Sequence, residues 1–157
     1  MYHRRNKGYI ENQIEEVALV LAVILGLVDS GQIIEAQKAA DVQLSKLAGI
    51  DATLLLSLPE SSMLDFFRFG AGIDPGRALG VAMLLDEYAR IKAAKNLIGT
   101  AERARRRSLL LLLEAMAAEQ TLRTPEFEGR VRRLAAEIGD ENLERSADLK
   151  LKALMSE

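Results

Sequence analysis

At 157 residues and 49% hydrophobic content, the chain is long enough for one well-buried domain and short for two. Aromatics make up only 4% and Trp is absent, so the apolar fraction rests on Leu, Ala, Ile and Val, a mixture suited to close helix packing rather than to a β core. A net charge of −2 carries no electrostatic footprint for nucleic acid, and the absence of cysteine excludes disulfides, thiol chemistry and Cys-ligated zinc while fitting a reducing cytoplasm.

Residues 1–8, which include His3, Arg4, Arg5 and Lys7, read as a flexible N-terminus, and residues 9–157 as a single all-helical domain. The first helix is predicted over residues 9–28, with Ile10, Ile14, Val17, Leu21, Ile24 and Val28 at three- and four-residue steps. From Val17 onward the opposite side is apolar too, through Leu19, Val20, Val23 and Leu27. A helix apolar all round is surrounded by protein or lipid, so this one is expected to sit at the centre of the fold. Its uninterrupted apolar run, residues 17–28, falls well short of the roughly 20 residues that a membrane helix needs, so membrane insertion is not expected. A second chain covering this helix predicts a homodimer.

Asp29-Ser30-Gly31 then punctuates, and a second helix closes at Gly49, its apolar line being Ile33, Ala36, Ala40, Leu44 and Leu47. So short a link makes the pair an antiparallel hairpin. Asp51 is placed to cap a short helix, and Pro59-Glu60 begins another turn or two carrying Met63, Phe66, Phe67 and Phe69. These aromatics read as a plug sealing one end of the bundle, or, with Tyr88, as an apolar groove. The glycine-rich run at residues 70–76 superficially resembles a phosphate loop. No strand-forming run precedes it and no Lys-Ser/Thr closes it, so Asp74 as N-cap with Pro75 at the first helical position explains it better.

The helix of residues 75–97 carries Val81, Leu84, Leu85, Tyr88 and Ile91 as its main stripe, with Leu79 and Met83 beside it. Asp86 and Arg90 stand four apart, as an exposed ion pair would. Gly99-Thr100 is the expected break, with Thr100 capping a helix over residues 101–122. Its line of Ala104, Ser108, Leu111, Ala115 and Ala118 lets a neighbour approach closely. Thr124-Pro125 repeats the cap-and-proline signature, Gly139 ends that helix, and Asp140 is placed to cap the last. Glu126–Arg130, Glu128–Arg132, Glu141–Arg145 and Asp148–Lys152 are spaced as exposed ion pairs.

No constellation for catalysis, cofactor or metal is legible. His3 is the lone histidine, Glu11, Glu15 and Glu16 read as solvated acids, and Ser30, Ser57, Ser61 and Ser62 have no nucleophile context. One local rule is broken. Arg103, Arg105, Arg106 and Arg107 crowd the first turns of their helix, against its dipole. With Arg90, Lys92 and Lys95 they form a basic cluster, so Arg90, Lys95 and the four arginines are candidate contacts for an acidic protein partner.

The predicted fold is therefore all-α, in antiparallel helical hairpins. The last hairpin, residues 125–155, lies near the 34-residue tetratricopeptide period, although the Trp-x-x-Leu-Gly signature is absent. The opening Tyr9-Ile10-Glu11-Asn12-Gln13-Ile14-Glu15-Glu16, the Leu54-Leu55-Leu56-Ser57-Leu58 segment and the helix of residues 79–91 together resemble an uncharacterised bacterial family of small cytosolic all-helical proteins described as tetratricopeptide-like. The resemblance covers most of the chain and implies no known activity. The expected function is a non-catalytic, helical-repeat-like protein-interaction module. The alternative is a small-ligand-binding protein or enzyme with an apolar pocket near residues 63–88.

Overall fold

The structure is a computed structural model that describes residues 2–143 and 145–156, with the side chains of residues 2–7, 140, 145 and 146 outside the description. The described residues form an all-α protein of eight helices: α1 (Tyr2–Asp29), α2 (Ile33–Ala48), α3 (Ala52–Ser57), α4 (Glu60–Asp65), α5 (Pro75–Ala94), α6 (Ile98–Ala118), α7 (Pro125–Ile138) and α8 (Arg145–Met155). Two-residue strands β1 (Arg68–Phe69) and β2 (Gly72–Ile73) form the only sheet among them. Among the described residues no helix is long and apolar enough to cross a membrane.

The boundaries follow from caps written into the sequence. Asp51, Asp74 and Thr124 each accept a hydrogen bond from the backbone N–H three residues on, satisfying one of the donors a helix start leaves unpaired. At the end of α1 the N–H of Gln32 reaches Leu27 O and that of Gly31 reaches Val28 O, a Schellman closure with Gly31 in the left-handed region. Five boundaries differ from expectation: α1 begins at Tyr2 rather than at residue 9, α5 ends at Ala94 rather than at residue 97, α6 ends at Ala118 with a 3-10 turn at Gln120–Leu122 after it, and the starts of α6 and α8 are shifted. α6 starts at Ile98, ahead of Thr100, because Asn96 takes the left-handed conformation (φ 62°) and turns the chain there, with Leu97 N–H bonded back to Lys92 O. Helix α8 starts at Arg145, after a 3-10 turn at Asp140–Asn142, and the capping side chain expected from Asp140 lies outside the described residues.

The segment expected to carry Phe69 on a helical turn is instead a β-hairpin. Arg68 pairs with Ile73 and Phe69 with Gly72 across the two-residue turn Gly70-Ala71. Gly70 has φ 62°, as a type II′ turn requires of its first central residue. The glycine-rich run is thus a hairpin leading directly into the Asp74 cap.

The central helix is α5, not α1. From Gly76 to Ile91 almost every residue of α5 is buried, including Leu79, Val81, Leu84 and Leu85. Helices α1 and α2 cover α5, α6 makes the most extensive contact with it, and α7 and α8 each pack on α6. Expected to be enclosed, α1 buries Ile10, Val17, Leu21 and Ile24 on one face and leaves Leu19 71% and Val23 59% exposed. The difference lies in backbone approach. A Cβ on Gly76 would overlap the Gln13 side chain, and one on Gly80 would sit 3.1 Å from Val17 Cγ2 and 3.3 Å from Leu47 Cδ1. Glycines one turn apart thus make the notch in α5 into which α1 and α2 close. On α6 the small-residue line is buried at Ala104, Ser108, Leu111 and Ala115, where Ser108 Oγ donates to Ala82 O at 2.6 Å, but its last member, Ala118, is exposed where the helix ends.

This packing makes Gly80 a sensitive position. Overpacking a filled helix contact costs about 1–3 kcal/mol, so Gly80→Leu is expected to lower the melting temperature by roughly 3–10 °C in thermal denaturation. Gly129→Ala, on the exposed side of α7 with nothing within 4 Å, should raise it slightly, by about 1–4 °C.

Candidate functional site

Five chain segments end or begin together at one end of the bundle. The first described turns of side chains on α1 bring Tyr9, Ile10, Glu11 and Ile14, and the hairpin brings Phe69 and Ile73. Asp74-Pro75 opens α5, Ala118-Glu119 closes α6, and Thr121, Leu122, Thr124 and Phe127 carry the chain into α7. Between them lie two clefts of about 330 and 380 Å³ that share Ile10 and Glu119 and so form one groove. Its lining is mixed, with Ile10, Ile14, Ile73, Pro75, Leu122 and Phe127 interspersed with polar groups, and Phe69 stands 68% exposed at its edge. Tyr9, also exposed, accepts a hydrogen bond from Gln13 Nε2 at 2.8 Å, and Gln13 in turn lies against Gly76, so the notch in α5 positions one wall. Glu119 is held by Thr121, whose hydroxyl donates to Glu119 Oε1 at 2.9 Å.

The four aromatics expected to form a groove are not brought together. Phe67 is fully buried beneath the Arg77 guanidinium, 5.3 Å from its ring centroid. Phe66 is half-exposed, and only Phe69 lines the groove. Tyr88 is buried and lines a different, polar cleft of about 590 Å³ with Thr53, Ser57, Lys92, Thr100 and Arg103. Burial raises the Tyr88 hydroxyl pKa, Asp41 and Asp51 add to the rise, and a hydrogen bond with Thr53 opposes it. The group is a neutral phenol at pH 7, with no capacity to act as a base.

The arginines are mostly committed within the fold. Arg103 Nη1 donates to Leu56 O at 3.1 Å and Arg107 Nη2 to Leu58 O at 3.0 Å, so both serve carbonyls at the C-terminal end of α3. Arg105 lies 3.7 Å from Glu137 on α7, and Arg106 is half-buried near the same carboxylate. Arg90 pairs with Glu87 at 3.6 Å, and Lys95 donates to Gln37 Oε1 at 2.6 Å. The conflict with the α6 dipole is thereby offset: a cation near one helix start sits at the negative end of another helix.

Asp86 is the largest departure from the sequence reading. It is buried and meets Arg130 at 2.5 Å and Arg133, both from α7, rather than forming an exposed pair with Arg90. Arg133 also reaches Glu137 at 3.1 Å. The neighbouring Glu87 is buried as well, and its Oε2 has no hydrogen-bond partner. Burial raises the Glu87 pKa, with Arg90 pulling it back and Asp86 pushing it further up. Of the exposed pairs expected on the last helices, Glu128–Arg132 (3.9 Å) and Asp148–Lys152 (3.0 Å) form, Arg130 goes to Asp86, and the Arg145 side chain lies outside the described residues. Among the described residues no three His, Cys, Asp or Glu side chains converge as metal ligands.

Arg103→Gln combined with Arg107→Gln is expected to lower the melting temperature by roughly 5–10 °C, mainly through the buried Arg107, because carbonyls at a helix end lose charged donors. Arg68→Gln, at the exposed pair with Asp65, should shift it by no more than about 2 °C. Circular dichroism melts of the variants measure both. No protein-family model matches the chain, and no curated protein or solved structure matches it.

Proposed function

We propose that the chain is a non-catalytic protein-interaction module that receives a segment of another protein in the groove between Tyr9, Phe69, Glu119 and Phe127. The observation that carries this reading is the groove itself: two adjoining clefts in which apolar side chains such as Ile10, Ile73, Leu122 and Phe127 are interspersed with Glu11, Asp74 and Glu119, a mixed lining suited to an amphipathic segment. Packed helical pairs offer such surfaces to peptide segments in helical-repeat proteins. The buried acids Asp86 and Glu87 are engaged in helix packing rather than set in a cleft. A cytoplasmic setting fits the cysteine-free sequence.

Selection of a random peptide library on the purified chain tests the reading. Enriched peptides should share a pattern and bind at least about tenfold more weakly to the Phe69→Ser variant, since aromatic anchors dominate such contacts. Phe69 is exposed, so the melting temperature should not change. Peptides indifferent to Phe69 would remove the groove from consideration. A metabolite that stabilises the protein through the Tyr88 cleft would favour ligand binding instead.

A second reading, self-association, has its own support. Ala18, Leu19, Ala22, Val23 and Gly26 form an exposed small and apolar stripe along α1, of the kind against which a second helix packs closely. Light scattering at tens of micromolar should then give a dimer mass, and Leu19→Lys with Val23→Lys a monomer that melts no lower. A monomer mass for the unaltered chain would exclude this role for the stripe.

A further inference from the structure

We propose that the occupant of the groove is a basic amphipathic segment, with apolar side chains seated against the apolar lining residues and Lys or Arg between and beside them. This rests on the reading of the groove as a partner site and adds the chemistry of the partner. Among the described side chains, the charged residues lining the two chambers are Glu11, Asp74 and Glu119, with no Lys or Arg. The bias is local, because the chain as a whole carries 21 Lys and Arg against 23 Asp and Glu.

The three acids are not equivalent. Asp74 caps α5, where it accepts from Arg77 N–H and faces the positive end of the helix, so part of its charge is already offset. Glu119 stands where the two chambers meet, and Glu11 is exposed on the opposite wall. A cation placed between two apolar anchors of a bound segment in the second chamber meets Glu119 and Glu11 among its lining residues. The exposed rings of Tyr9 and Phe69 add faces that attract a guanidinium or ammonium group. Acidic and neutral segments gain only the apolar contacts, and the acidic one meets like charge at the junction.

Fluorescence anisotropy with three labelled helical peptides tests the proposal on the full chain: one of alternating Leu and Lys faces, and two in which Gln or Glu replaces Lys. The Lys peptide should bind roughly tenfold tighter than the Glu peptide near physiological salt, with the difference shrinking as salt rises. Glu11→Gln with Glu119→Gln should weaken the Lys peptide by roughly three- to tenfold and leave the Gln peptide unchanged. Phe69→Ser should weaken both the Lys and Gln peptides. Equal binding of all three peptides, lost in Phe69→Ser, would overturn the basic partner and leave the groove standing. Binding of the Lys peptide that ignores Phe69→Ser would overturn the proposal as diffuse attraction to the surface, and no binding by any peptide would overturn both readings. A dimer that dissolves in the Glu11→Gln, Glu119→Gln variant, and also when Arg4, Arg5 and Lys7 are changed to Gln, would overturn it in favour of a second copy as occupant.

Discussion

A helix with every side turned to protein must find neighbours for every side, and α5 imposes that demand on the rest of the chain. Its apolar residues are met by α1, α2 and α6, whose own apolar faces have nowhere better to go. Gly76 and Gly80 let the first two of these come close enough to leave no void. The same enclosure draws Asp86 out of water. An uncompensated carboxylate there would cost several kcal/mol, and α7 answers with Arg130 and Arg133. Helix α7 is thus fastened by a buried charge cluster as well as by Phe127, Val131 and Leu134.

Helix ends set the second demand. The last carbonyls of a helix lack intrahelical partners, and in a small bundle several such ends face protein rather than solvent. Arg77 Nε and Nη2 donate to Leu47 O (2.9 Å) and Ala48 O (3.2 Å) at the end of α2, while its guanidinium covers Phe67. Arg103 and Arg107 do the same for α3. Two of the basic residues that look misplaced on α6, Arg103 and Arg107, are therefore structural donors to α3, and Arg105 turns to Glu137 on α7.

The groove is a by-product of where elements stop. Helix packing fills the middle of the bundle, and at its end the hairpin, the α5 cap and the α6–α7 link cannot all close on one another. Apolar side chains such as Phe69 and Ile73 stay accessible there because a two-residue strand pair has too little of its own surface to bury them. Glu119 breaks α6 at this point, with extended backbone angles, and places a carboxylate at the junction.

Many features whose partners lie within a few residues are legible in the sequence alone, although the Arg68–Ile73 hairpin and the left-handed turn at Asn96 are as local and carry no signal that separates them from the helical pattern around them. The Asp51, Asp74 and Thr124 caps, the Gly49 and Gly139 closures and the all-helical class all rest on hydrogen bonds or periodicities that a short window contains. Features whose partners lie far along the chain were decided only by the tertiary structure. Arg77 meets a carbonyl 30 residues away, Arg107 one 49 away, and Asp86 an arginine 47 away. The choice of central helix belongs with these. Residues 17–28 are apolar all round, whereas α5 carries Arg77, Asp86, Glu87, Arg90 and Lys92, so patterning favours α1 over α5. What reverses that order is that Gly76 and Gly80 admit neighbouring helices to within contact of the α5 backbone, a property of close approach in space that hydrophobic periodicity along one helix does not register.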